Sequence, residues 1–194
     1  MDLQSALSRL GYQLIAGRIP ATPELVGALE RDFQFELPGD YREFLIADWG
    51  GGWVNAKVSL QDEVTPVGAV GCIDSFHGFM SAGQGDDLRA GILAFGCAPD
   101  MLPIATDLSG NSMMLMLRGP HRGSVFYYDY DRRASWSDET FHEMFDNLAQ
   151  SVRAYLAHRA SRTLRPRVGV PKHLYLAATS FTALLEQCRN ADDK

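Results

Sequence analysis

The 194-residue sequence predicts an α+β protein: a largely antiparallel or mixed central sheet flanked by helices, with a C-terminal helical extension. Two observations carry that reading. Between Gly91 and Tyr128 short apolar runs are separated by Gly, Pro, Asn and Asp, and such brief connections make consecutive antiparallel strands the economical arrangement. Before and after that block, apolar residues recur at helical spacing, so helices precede and follow the strands instead of alternating with them. A hydrophobic content of 46% suffices for one core plus an appendage, and a charged fraction of 22% argues against disorder.

The elements follow in order. Leu3, Leu7 and Leu10 have helical spacing until Gly11 stops a short first helix, after which Tyr12 to Ile15 reads as extended. Thr22-Pro23-Glu24 is a helix start: a hydroxyl cap, a proline in the first turn and a carboxylate at the positive dipole end. Leu25, Val26, Leu29 and Phe33 form that helix's apolar stripe. Pro38 opens the next helix, with Tyr41, Phe44, Leu45 and Trp49 on one face, and Gly50-Gly51-Gly52 ends it. Residues 55–90, where Pro66, Gly68 and Gly71 interrupt the valines, read as irregular with one short strand. Strands are expected at Gly91–Gly96, Met101–Thr106, Ser112–Arg118 and Gly123–Tyr128. Met113, Leu115 and Leu117 alternate with Met114, Met116 and Arg118, so both faces of the sheet are expected to be covered. Asp107-Leu108-Ser109-Gly110-Asn111 is a turn by composition. Ser137 caps a long helix carrying Phe141, Met144, Phe145, Leu148 and Leu156, and a last helix carries Leu174, Ala178, Phe181, Leu185 and Cys188.

Charge divides the chain. Residues 1–150 carry a net −11, residues 151–173 a net +6 without one acidic side chain, and the whole a net −6. An acidic body repels nucleic acid and attracts basic surfaces across about 8–10 Å of physiological salt. No apolar run reaches the roughly 20 residues of a membrane helix, and the start lacks a basic and apolar leader. A cytoplasmic protein is therefore expected, with no membrane partner. Cys72, Cys97 and Cys188 are scattered and odd in number, which suits free thiols in a reducing compartment.

Two stretches are more specific than the rest: Leu37-Pro38-Gly39-Asp40-Tyr41-Arg42-Glu43-Phe44-Leu45 with its glycine ending, and Leu102-Pro103-Ile104-Ala105-Thr106-Asp107-Leu108-Ser109-Gly110-Asn111. In this order, followed by a strand ending in Val125-Phe126-Tyr127-Tyr128-Asp129 and a Phe-rich helix, they resemble the SUKH superfamily, the Smi/Knr-like domain. The resemblance covers residues 21–156 within a domain of residues 1–156. Beyond it lie a basic linker, 157–173, and the segment 174–194, expected to pack on the domain, on a partner, or on a second copy as a homodimer. The resemblance implies an α+β fold and a protein-binding role, since many bacterial members are immunity proteins that neutralise a cognate toxin. Its motif residues here are Leu37, Pro38, Tyr41, Phe44, Leu45, Gly51, Gly52, Pro103, Ile104, Asp107, Gly110, Asn111, Phe141 and Phe145. Large apolar side chains among them read as core, and Asp107 and Asn111 as holding their turn through side-chain-to-backbone hydrogen bonds.

Catalytic signatures are sparse. His77, His121 and His142 stand alone, and neither a nucleophile elbow, a phosphate-binding loop nor a dinucleotide fingerprint occurs. Asp86-Asp87 lacks the calcium-loop spacing, and Asp129 and Asp131 have Arg132 and Arg133 as ready partners, so no metal and no cofactor is expected. The leading expectation is a non-catalytic immunity protein that covers a basic toxin domain, plausibly a nuclease, with an acidic surface. Residues for that surface are Trp53, Asp62, Glu63, Asp74, Asp86, Asp87, Asp129, Asp131 and Trp136, which are acidic or amphipathic and lie in expected loops or strand ends. Two alternatives stay open: a small metal-dependent hydrolase using Asp129, Asp131 and a histidine, and a regulatory scaffold like the fungal members of the superfamily.

Overall fold

A computed structural model describes residues 2–60, 70–81, 87–94, 100–128 and 174–192. The expectations for the long helix at 137–156 with Phe141 and Phe145, for the basic linker 157–173, and for Cys97 lie outside these residues.

The helices form where the sequence supplies caps. Helix α1, Leu3–Arg9, starts on the Asp2 carboxylate, which accepts from the amides of Gln4 and Ser5. Helix α2, Pro23–Phe33, starts on Thr22, whose hydroxyl accepts from Leu25 N–H at 3.2 Å, and ends on Gln34 at φ +55°. Helix α3, Gly39–Ile46, is shorter than its apolar stripe suggests. Asp48 turns the chain at φ +67°, so Trp49 leaves the helix and packs edge-on against Tyr12, whose hydroxyl donates to the Trp49 carbonyl. Arg18 pairs with the Asp48 carboxylate, and this carboxylate also accepts from Ala21 N–H. The glycines after Trp49 are there mainly for space. A Cβ on Gly78 would lie 2.4 Å from the backbone of Gly50 and Gly51, and one on Gly52 would enter the Tyr12 ring at 2.0 Å. Only Gly51 uses a positive φ, +77°.

The strands are β1 (Gln13–Leu14), β2 (Arg18–Ile19), β3 (Gly52–Ser59), β4 (Val70–Phe76), β5 (Phe79–Met80), β6 (Met101–Thr106), β7 (Ser112–Met116), β8 (Val125–Tyr128), β9 (Leu174–Ala178) and β10 (Arg189–Asn190). The main sheet runs β1-β3-β4-β6-β7-β8-β9, β10 adds to β3 beside β1, and β2 and β5 form a small second sheet. Every pairing of described strands is antiparallel. A bulge follows Pro103, which has no N–H to give the ladder.

Three expectations need correction. The described part of residues 55–90 is not mainly irregular: β3 alternates buried and exposed residues over its whole length, and Gly71 in β4 makes room for the Tyr127 ring, 2.9 Å from where its Cβ would be. Residues 91–94 of the expected Gly91–Gly96 strand are helical instead: helix α4, Leu88–Ala94, occupies them, with the Asp87 carboxylate capping the amides of Arg89 and Ala90. Short apolar runs between glycines do not distinguish the two periods. The stripe from Leu174 to Cys188 is not one helix. Leu174–Ala178 pairs with β8, and Ser180 then caps helix α5, Phe181–Gln187, by accepting from Ala183 N–H at 3.0 Å.

This last segment closes the core. Phe181 sits 4.9 Å from Tyr41, 4.7 Å from Phe44 and 6.0 Å from Phe76, measured between ring centroids. Asp40, inside the motif helix, accepts from Thr182 N–H at 2.9 Å and so holds the first turn of α5. Arg9 of α1 reaches the Leu185 carbonyl. The main cluster joins α1, α2, α3 and α5 to one face of the sheet, while Met101, Met114, Phe126, Tyr128 and Leu174 form a second cluster. Met113 and Leu115 belong to the first and Met114 to the second, as the alternation in β7 requires.

Candidate functional site

The Asp107 turn is a tightly organised polar feature at the surface of the described residues. One carboxylate oxygen accepts from the amides of Ser109 and Asn111, at 2.8 and 2.9 Å. The other accepts from the Asn111 side-chain amide at 3.0 Å and from the Tyr127 hydroxyl at 2.9 Å. Gly110 completes the reversal at φ +86°, and Asp107 N–H bonds the Asn111 carbonyl. The turn is also tied sideways: Leu108 N–H donates to the Asp74 carboxylate at 2.8 Å, which links β4 to the β6–β7 connection.

That tie gathers a surface. Leu108 is 87% exposed, the most exposed of the large apolar side chains among the described residues. On β4, exposed Cys72 lies two residues from Asp74, and in register it faces Lys57 of β3. Burial pushes the Cys72 thiol up, and the Asp107 and Asp74 carboxylates push it further against the opposing Lys57. Burial likewise raises the Tyr127 phenol, with the adjoining Asp107 charge adding to it. A thiol held protonated is a poor nucleophile. Among the described residues this surface presents an exposed leucine, hydrogen-bonded carboxylates and Lys57.

Of the other residues named for partner contact, the described ones are Trp53 and Asp87. Trp53 is 44% exposed on β3 and pairs with Gln13 of β1. Asp87 is buried, and its carboxylate serves α4, the Met80 amide and the Arg89 guanidinium, which leaves it nothing to present to a partner. Asp62, Glu63, Asp86, Asp129, Asp131 and Trp136 lie outside the described residues. The sequence reading missed Lys57, Cys72, Leu108 and Tyr127. The exposed alternation in β3 and β4 was a usable sign for the first two; the Tyr127–Asp107 bond had none, because it depends on how three strands align.

The motif residues are placed as structure. Tyr41, Phe44, Leu45 and Ile104 are fully buried, and Leu37 N–H donates to the Glu30 carboxylate at 2.9 Å. His77 is buried, its backbone N–H donating to the Ile104 carbonyl of β6, while His121 is exposed and touches Phe126 edge-on. Among the described residues no group of three His, Cys, Asp or Glu could hold a metal ion, and no helix is long and apolar enough to cross a membrane.

No curated protein and no solved structure matches the chain. A family model does, over residues 20–157, a span that holds the motif helix, the close-packed glycines and the Asp107 turn. By that match over more than half of its length, together with the α+β architecture and the two motifs seated in it, the chain belongs to the SMI1 / KNR4 family (SUKH-1).

Proposed function

We propose that this protein is a non-catalytic binding module, an immunity protein that occupies a cognate bacterial toxin domain through the ridge formed by Asp74 and the Asp107 turn. Family membership is consistent with an immunity or binding module. The observation that carries the reading is the turn: its side-chain and backbone bonds hold an exposed leucine beside carboxylates in one shape before any partner arrives. Preorganised contacts of this kind retain binding energy that a mobile loop would lose on ordering. The acidic body adds long-range attraction for a basic partner such as a nuclease, and it disfavours direct nucleic-acid binding.

The test is to look for a toxin domain in the reading frames adjacent to this chain's own and to co-express the two. The two should co-purify, relieve toxicity, and associate more slowly as salt is raised, because steering is screened beyond about 10 Å at 0.1 M. Association that ignores salt removes the electrostatic element. Turnover of a small substrate by the purified chain, abolished by one substitution at Asp129 or Asp131, would replace the reading with the hydrolase.

A further inference from the structure

Resting on that reading, we infer that the ridge divides its labour: Leu108 is the anchor that enters an apolar pocket on the partner, and Asp74 meets a cationic group at the rim of that pocket. The hydrogen bonds make the assignment. Both oxygens of Asp107 already accept two bonds each, so its carboxylate builds the turn and has little capacity left for a partner. Among the described residues Asp74 receives one bond, from Leu108 N–H, and offers its second oxygen to an incoming donor. Leu108 has its backbone clamped and 87% of its surface in water, so burying it costs little ordering and removes much apolar area. Asp74 and Asp107 give the ridge two carboxylates on an acidic body, which selects a pocket rimmed by lysine or arginine over a neutral or acidic one. Anchor residues govern dissociation, and rim charges govern encounter.

The experiment measures both rate constants of the full chain against a purified toxin domain found by that co-expression test. Leu108→Ala should speed dissociation by about tenfold or more with association nearly unchanged. Asp74→Asn keeps an acceptor for the Leu108 amide, so it should leave dissociation within about twofold while slowing association several-fold at low salt, a difference that fades at high salt. Leu14→Ala, an exposed leucine on β1, is the control and should change neither. Unchanged dissociation for Leu108→Ala, with the complex intact and thermal unfolding unaltered, overturns the inference and leaves the immunity reading standing. Failure of the unmodified chain to bind the domain at all overturns both.

Discussion

Helix α3 and helix α5 are packed equally deep, yet only one of them lies in the family's span. Phe44 of α3 and Phe181 of α5 are both essentially buried and touch at 4.7 Å, although residues 174–192 fall outside the matched 20–157. Strand β9 continues the sheet from β8, β10 lies along β3, and α5 plugs the space between α1, α3 and β3. A segment beyond a domain's usual boundary is thus no appendage when its apolar side chains complete the same cluster. This bears on the scaffold alternative, in which the final segment would be a free partner-binding arm. Removing β9 and α5 would take Phe181 out of the core, so loss of binding on such a truncation would not by itself mark the segment as a partner-binding arm.

The sharpest way to break this comparison is to cut both aromatic contacts. Phe181→Ala and Phe44→Ala should each cost about 3–5 kcal/mol in urea unfolding, the range for a large aromatic removed from a core. A loss under about 1 kcal/mol for Phe181→Ala alone would return the segment to appendage status.

Next in size is a pH effect at the end of α5. Burial pushes the Cys188 thiol up to about 12 from an ordinary 9.0. The unfolded chain therefore releases this proton above about pH 9 while the native state still holds it, so stability should fall with rising pH by up to about 1.4 kcal/mol per unit toward pH 12. The stabilising contribution is fully present below pH 9. Cys188→Ala should flatten that slope between pH 9 and 11, measured by denaturant midpoints, and an unchanged slope would place Cys188 in contact with water.

The smallest effect tests α3. The Tyr41 hydroxyl is buried with no hydrogen-bond partner among the described residues, and burial raises its phenol well above the usual range. Tyr41→Phe removes that uncompensated group, so it should be neutral or stabilising by up to about 1 kcal/mol in the same assay. A loss of 1 kcal/mol or more would mean the hydroxyl is satisfied in solution.

Legibility followed the range of the interactions. The caps at Thr22 and Ser180 were of different visibility for this reason. Thr22 stands before a proline and a regular stripe, whereas Ser180 follows apolar residues that fit both a strand and a helix. The turn at Asp107 was legible because its bonds reach only two to four residues along the chain. Its ties to Asp74 and Tyr127, 34 and 20 residues from their partners, were not. Asp87 shows the converse: two adjacent aspartates looked like an acidic surface, and the fold buried one of them as a cap.

The amino-acid order by itself determined the family, the α+β class, the start of α2, the β6–β7–β8 meander and the Asp107 reversal, since each depends on neighbours within a few positions or on two motifs in sequence. Only the tertiary structure decided that Leu174–Ala178 is a strand, that Phe181 completes the motif's aromatic cluster, and that Leu108 stands fixed beside Asp74. Those outcomes depend on which surfaces meet across tens of residues, and local periodicity carries no record of that meeting.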